Sequence, residues 1–499
     1  MQFLPGAQRM KDADNYTIHS LGVPSLELME RAAKGCVRYM KEENLDLSKV
    51  MIVCGSGNNG GDGFAIGRLL IQEGAFVTVC MAGNVSHCTP ECKRQMELFD
   101  EAGGVIVNEF TSGEYSVIVD ALFGVGLSRK IEGVYADIIN KMNESDAVRF
   151  AVDIPSGISA DTGNVLGKAF RADITVTFQK RKFGMEIYPG KEYCGRIFVE
   201  DIGICDKVMR EDFHVPVVLT KEEYKNLLPA RNEDSNKGTF GKVLVIAGSK
   251  GMSGAAYFNA KSAYLSGAGL VRIYTPEENR MILQQLLPEA IITAYDSFCE
   301  MELCSLLLWA DVVCIGSGIG ISDTSRMLLK KTIKNCKVPC VIDADGINLL
   351  AEEREELRHV NQGQFVLTPH MKEMSRLIRL PVEEIKKDRL KILEQVTAWA
   401  ECACVMKDSR TVIGAKDHRT VVNCTGNQAM AKAGSGDVLT GIITGFLAQG
   451  LPVYDASVLG AYIHGGAGDL AREKKGNYSV LAEDLMDHIS AAIKRLEEE

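Results

Sequence analysis

The sequence predicts an α/β protein built as two α/β/α domains, and three observations predict it. Short apolar runs that end in glycine alternate with amphipathic helical stretches through the first half. The same alternation starts afresh in the second half. Each half carries its own glycine-and-acid motif, Asn58-Asn59-Gly60-Gly61-Asp62-Gly63 in one and Ala433-Gly434-Ser435-Gly436-Asp437 in the other. A chain of 499 residues has room for about two or three domains. The charged stretch Asp206 to Tyr224, with His214-Val215-Pro216 inside it, marks the change, so the domains are drawn as 1–215 and 216–499.

The first domain opens on a helical stretch, Ser25 to Tyr39. Its candidate strands are Val50 to Cys54, Ala75 to Met81, Ser116 to Asp120, Arg149 to Asp153 and Ile174 to Phe178, with helical periodicity such as Phe64 to Gln72 between them. Runs apolar on both faces suit parallel strands covered by helices. The second domain repeats the pattern at Val243 to Ala247, Leu270 to Tyr274, Val312 to Ile315, Val341 to Asp343, Phe365 to Leu367 and Cys404 to Met406, and Val438 to Ala448 reads as a helix.

Composition removes several classes. A net charge of −10 disfavours a nucleic-acid partner, which needs a basic face. The triplet Lys180-Arg181-Lys182 is too short for one and reads as a solvated turn. The start, Met1 to Pro5, lacks a charged segment followed by an apolar one, and no apolar run is long enough to span a bilayer, so a cytoplasmic protein with no membrane partner is expected. The fifteen cysteines are scattered. Cys54, Cys80, Cys314 and Cys404 sit in strands, where the thiol acts as a small hydrophobe. His87, Cys88 and Cys92 could bring three ligands together on a helix, but zinc wants a fourth.

The run Gly55 to Gly63 lies between a strand and a helix, where glycines permit a sharp turn and successive N–H groups can face one anion. Asp120, followed by a second glycine loop, and Asp153, before Pro155-Ser156-Gly157, end two further strands. Ligands of open α/β sheets bind beyond the carboxyl ends of strands, so these acids and the Asn58–Asp62 loop are expected to share a crevice. Asp62 has a plainer reading as a helix cap, and Asp120 as a residue bonding its own turn. The strings NNGGDG, DALFGVGL, VDIPSGISADTG, ADITVTF, KFG and VEDIGI closely resemble NAD(P)H-hydrate epimerases over roughly the first 210 residues. The resemblance implies a Rossmann-like epimerase domain with Asp153 as catalytic acid/base. It implies a potassium ion (K+) held by Asn59, Asp120 and Ser156. It also implies that the hydrated cofactor is bound by Asn58, Asn59, Gly60, Gly61 and Asp62, by Gly124-Val125-Gly126-Leu127-Ser128-Arg129-Lys130, and by Asp153.

In the second motif small residues let N–H groups converge on a phosphate at a helix start, with Asp437 placed to take a proton from an attacking hydroxyl. The bland alternative is an Asp that only offsets the helix dipole. The motif resembles the anion hole and catalytic Asp of ribokinase-like enzymes. With KVLVIAGS, SGAA, SGAGLV, GSGIG, DADGIN, LTPH and GDVLTG, roughly residues 220 to 495 look like NAD(P)H-hydrate dehydratase. By that resemblance Ala255, Gly318, His370 and Asp437 touch the hydrate. Lys407, Asp408, Ser409, Arg410 and Thr411, with Gly434, Ser435 and Gly436, bind the nucleotide, ADP with Mg2+. The chain departs from the family at Met371-Lys372-Glu373, Asp408, Ala429 and Ala433. Asp408 matters most, since a lone carboxylate repels polyphosphate unless a cation intervenes. His370 could instead bond a backbone carbonyl, and Lys407 could be an exposed strand-end residue.

The two resemblances imply one repair activity on hydrated NADH and NADPH: epimerisation by the first domain, and dehydration of the S hydrate by the second with ADP (or ATP). A homo-oligomer is expected. Two alternatives stand beside it. One is a ribokinase-like small-molecule kinase with a nucleotide-sensing first domain. The other is a first domain that only binds ADP-ribosyl groups.

Overall fold

A computed structural model describes residues 1–353 and 363–498. Contacts divide the chain into Gln2–Pro216 and a second unit of Val217–Glu499 with Met1.

The first unit is a sheet of seven strands: β1 (Lys49–Cys54), β2 (Phe76–Met81), β3 (Val105–Val107), β4 (Val117–Ala121), β5 (Val148–Val152), β6 (Ile174–Phe178) and β7 (Arg196–Glu200). Their order is β3-β2-β1-β4-β5-β6-β7, every pair parallel. Order reverses between β1 and β4, where Cys54 stands opposite Ala121. That switch point opens a crevice at the strand ends. The central strands are buried along both faces, as their continuous Val/Ile runs require. The helix Ser25–Glu42 buries Leu28, Met29, Ala32, Cys36 and Met40 at helical spacing. Edge strands β3 and β7 are half-exposed and lack the long apolar run that reveals the others.

The second unit holds β8 (Val217–Val218), β9 (Lys242–Ile246), β10 (Leu270–Pro276), β11 (Ile291–Tyr295), β12 (Val312–Ile315), β13 (Cys340–Ile342), β14 (Phe365–Leu367), β15 (Ala403–Met406), β16 (Thr411–Gly414) and β17 (Val421–Asn423). They run β8-β17-β16-β15-β14-β13-β12-β9-β10-β11. From β11 to β15 the pairing is parallel, but β15, β16 and β17 form an antiparallel meander. Neither β16 nor β17 is among the strands that the sequence predicts. Strands of three or four residues joined by a short turn through Asp417, at φ 60°, leave too little periodicity to read. Among the described residues no helix is long and apolar enough to cross a membrane.

Candidate functional sites

In the first unit the helix begins at Asn58 with Gly57 at its N-cap, so Asn58 to Asp62 are its opening turns and not a loop. Nor is Asp62 a cap: it is the fifth helical residue. None of Gly55, Gly57, Gly60, Gly61 or Gly63 has a left-handed φ. Closeness explains them instead. A Cβ on Gly60 would lie 1.9 Å from the Gly55 carbonyl oxygen, and one on Gly63 2.6 Å from both Cys54 Sγ and Ala121 Cβ. Glycine lets the helix start sit directly on the ends of β1 and β4, with its free N–H groups facing the crevice.

That crevice is a cleft of about 820 Å³, a size suited to a small-molecule ligand. Asn58, Asn59, Asp62, Gly124 to Arg129 and Asp153 line it, together with Lys11 and Asp14. Leu28, Met29, Phe178, Ile202 and Ile204 give it an apolar wall. Of the residues the epimerase resemblance implied as cofactor contacts, Gly60, Gly61 and Lys130 fall outside this lining. The two glycines are buried in the helix start, and Lys130 is exposed.

Asp153 follows β5 with φ 66°, a conformation that costs a non-glycine residue energy and is held here by its neighbours. Its N–H donates to Val176 O at 2.8 Å. Its Oδ1 accepts from Thr177 Oγ1 at 3.2 Å, from the Phe178 N–H at 3.1 Å and from Lys182 Nζ. Lys182 is fully buried and also donates to Thr177 Oγ1 at 2.8 Å and to Phe178 O at 3.1 Å. This corrects the solvated-turn reading of Lys180 to Lys182. Burial drives the Lys182 pKa below its usual value, against the pull of Asp153. The sequence signal was present: Lys182 opens the apolar string Lys182-Phe183-Gly184-Met185, which is buried throughout.

Asp120 lies beneath the cleft, wholly buried. It accepts from the Leu122 N–H at 3.2 Å, as expected of its own turn, but also from Ser156 N at 2.7 Å and Ser156 Oγ at 2.6 Å. Burial pushes its carboxyl up to about 6, and the Ser156 bonds hold it from rising further. Among the described residues no ion pair offsets its charge. Nearby, Gly124 brings its backbone against Asn59, whose buried Nδ2 has no hydrogen-bond partner. His87 stands in a short 3-10 turn, Val85–His87, while Cys92 lies on the helix Pro90–Glu101, so His87, Cys88 and Cys92 do not share a helix. Among the described residues no cluster of His, Cys, Asp and Glu could hold a metal ion.

In the second unit the helix Ser435–Ala448 starts after Gly434, which takes φ 90°. A Cβ on Gly434 would meet Phe258 at 2.7 Å and Ala482 at 2.9 Å, so glycine is required twice over. Asp437 is the third helical residue, and its carbonyl is fixed by Asn259 Nδ2 at 2.8 Å. Burial, then Asp343, pushes its carboxyl up to about 7; Ser317 and Lys407 draw it down. Lys407 is no exposed strand-end lysine. Its Nζ donates to Asp343 Oδ1 at 2.8 Å, and Thr368 Oγ1 donates to the same oxygen at 2.7 Å. A Cβ on Gly436 would lie 3.2 Å from Lys407 Nζ. The ends of β13, β14 and β15 thus converge on the helix start that carries Asp437. Asp343 and Thr368 sat inside recognised strings, but no pattern within either string showed that they hold Lys407.

His370 bonds backbone N–H groups rather than a carbonyl: its Nδ1 accepts from Lys372 and Glu373, both at 3.1 Å. Glu373 Oε2 accepts the His370 N–H at 2.8 Å in return, a capping box for the helix Met371–Ile378. The unusual Met371-Lys372-Glu373 therefore begins a properly capped helix. Burial and Lys407 lower the His370 pKa. Ala255 and Gly318 are neighbours, since a Cβ on Gly318 would come within 2.9 Å of Ala255 Cβ. Asp408 is not a lone carboxylate: it pairs at 3.1 Å with Arg389, whose side chain is only 2% exposed. Ser409 is exposed, Arg410 is half-buried, and Thr411 opens β16. Ser435 Oγ lies 3.2 Å from Nε2 of His464, a histidine the sequence reading did not single out. Burial lowers its pKa to about 4, so the ring is neutral.

Comparison with known proteins shows the family. Residues 25–184 match the family model described as YjeF-related protein N-terminus, and residues 243–491 match NAD(P)H-hydrate dehydratase. The chain is 34% identical to the bifunctional NAD(P)H-hydrate repair enzyme Nnr of Moorella thermoacetica over 100% of this chain and 98% of that one. It is 33% identical to the enzyme of the same name from Escherichia coli, over 95% and 90%. Among solved structures, the ADP/ATP-dependent NAD(P)H-hydrate dehydratase of Bacillus subtilis, co-crystallized with ATP/Mg2+, is similar at 28% identity and a TM-score of 0.50, covering 57% of this chain and all of that one. A ribokinase-like superfamily protein of Enterococcus faecalis is similar at 30% and 0.51, covering 56% and 96%.

Proposed function

The chain belongs to the bifunctional NAD(P)H-hydrate repair enzymes, and from that membership we propose that residues 1–215 exchange the R and S hydrates of NADH and NADPH while residues 216–499 dehydrate the S hydrate with ADP or ATP. One observation carries the reading: each unit holds its own buried acid–lysine site of different build. Asp153 with Lys182 faces a roomy cleft, whereas the buried Asp343 with Lys407 stands beside Asp437 at a helix start suited to phosphate. The family favours this over a kinase with a sensing domain.

In the second unit Asp437, near neutrality in pKa, accepts the proton of the ring hydroxyl as its oxygen attacks the transferred phosphoryl group. The helix start and Lys407 stabilise the charge that develops. The C–O bond then breaks with its electron pair leaving on the phosphate, and loss of a proton from the neighbouring ring carbon restores the double bond. Ala255 and Gly318 leave room for the hydrate, and Mg2+ accompanies the nucleotide. The Arg389 pair keeps Asp408 from repelling it. In the first unit Asn59, Asp120 and Ser156 would hold a potassium ion. A buried carboxylate without an ion pair among the described residues, bonded to the Ser156 hydroxyl, suits a hard cation. The ion would offset the Asp120 charge and steady the glycine segments that face the substrate. A reducing cytoplasm is supported by fifteen free cysteines. The test is phosphate release: hydrated NADH with ADP, and separately with ATP, should yield free phosphate and reduced nicotinamide in equal amounts. A stable phosphorylated product would favour the kinase.

A further inference from the structure

Hydrating the ring double bond beside the nicotinamide nitrogen puts the hydroxyl on the carbon attached to that nitrogen, because the enamine protonates at its far carbon. Exchanging the face of that hydroxyl then needs two proton transfers, one to the departing oxygen and one from the arriving water. Asp153 can serve one end. Its Oδ1 is clamped by an ammonium, a hydroxyl and an N–H.

Asp62 is built the opposite way. It lines the same cleft, yet no hydrogen bond or ion pair engages its side chain among the described residues. It projects from the start of the helix Asn58–Gln72. Asp153 after β5 and Asp14 on the helix Ala7–Asn15 act on it with like charge, and its own charge is felt by the buried thiols of Cys36, Cys54 and Cys92. Lys182 is spent on Asp153. Burial first, then the two acids, pushes the Asp62 carboxyl well above the usual carboxylate range. Two carboxyls lining one cleft, one clamped by donors and one without a partner among the described residues, are placed to divide acid and base roles between them.

We propose that Asp62 is the general acid of hydrate epimerisation, the partner of Asp153. This rests on the epimerase reading of the first unit. Asp62 gives its proton to the hydroxyl oxygen, and the C–O bond breaks with its electron pair leaving as water. The ring nitrogen lone pair forms C=N⁺. Water adds to the opposite face of that carbon and yields a proton to Asp153. Asp62 ends ionised and Asp153 protonated, and proton exchange with solvent water in the cleft restores both. No redox partner enters.

The experiment follows R-to-S exchange chromatographically in the full chain, wild type against Asp62→Asn and Asp62→Glu, across pH. Asp62→Asn should lower kcat roughly 100- to 10,000-fold with KM little changed. The wild-type rate should fall as pH rises through the Asp62 pKa, because the acid must be protonated; the residual rate of Asp62→Asn should lose that alkaline fall, and Asp62→Glu should recover part of both. The melting transition of the first unit, unchanged in calorimetry, is the control for its folding, and dehydration of the S hydrate is the control for the second unit. If the wild type does not exchange epimers, the epimerase reading fails. If it does and Asp62→Asn matches it, or loses only KM, Asp62 is not the acid.

Discussion

Replacing Lys182 by methionine keeps the aliphatic stem and deletes a buried ammonium. Three contacts go with it: Asp153 Oδ1, Thr177 Oγ1 at 2.8 Å and Phe178 O at 3.1 Å. Asp153 then keeps only neutral donors. Breaking a buried ion pair from one side costs about 3–5 kcal/mol, because the remaining charge is uncompensated. The Asp153 side chain is 12% exposed, which lets some water reach it and favours the lower end. At about 3 kcal/mol, and roughly 2–4 °C per kcal/mol for a domain of this size, the melting transition of the first unit should drop by roughly 6–12 °C. The assay is calorimetry of the wild type, Lys182→Met, Asp153→Asn and the double variant. Removing both charges should recover most of the loss, while any transition of the second unit stays in place. A single variant within about 1 kcal/mol of wild type, or a double variant no more stable than the single, would refute the buried-pair argument.

Two further outcomes test other parts of the account. Asp437→Asn should slow dehydration roughly 100- to 10,000-fold and leave epimer exchange intact; since the carboxylate is the base and its pKa is pushed up to about 7, the wild-type dehydration kcat/KM should fall as pH drops through about 7 and level off above it. Asp120→Ala should abolish an anomalous peak from rubidium or thallium between positions 59, 120 and 156 in crystals of the full chain, and a divalent ion at magnesium distances in the unchanged protein would overturn the cation assignment.

How much of this was legible in the sequence differs residue by residue. Continuous runs such as Ile174–Phe178 and Val312–Ile315 show their strands because both faces are buried. The edges β3, β7 and β11 are half-exposed, and the meander after β15 is short, so neither carries a period. Asp153 and Asp437 stand at a strand end and a helix start, positions a motif displays. Lys182 and Asp343 do not: each gains its role from a partner 29 or 64 residues away, a distance over which no local pattern extends. The glycines of Gly55 to Gly63 were recognised as necessary, but for turning rather than for the close helix–strand contact that excludes a Cβ. The charge of Asp408, in the turn after β15, has its partner Arg389 19 residues away at the start of the helix Arg389–Ala400, beyond the reach of a local motif.

The central claim is that one chain carries both activities at separate acids. An equal mixture of R- and S-hydrated NADH, with ADP and magnesium, should be converted wholly to NADH by the wild type. Asp153→Asn should consume the S epimer at once and leave R to follow at the uncatalysed rate of exchange, and Asp437→Asn should produce almost no NADH while still equilibrating the epimers. Contradiction would be a wild type that consumes one epimer and leaves the other, or one variant that removes both activities while remaining folded.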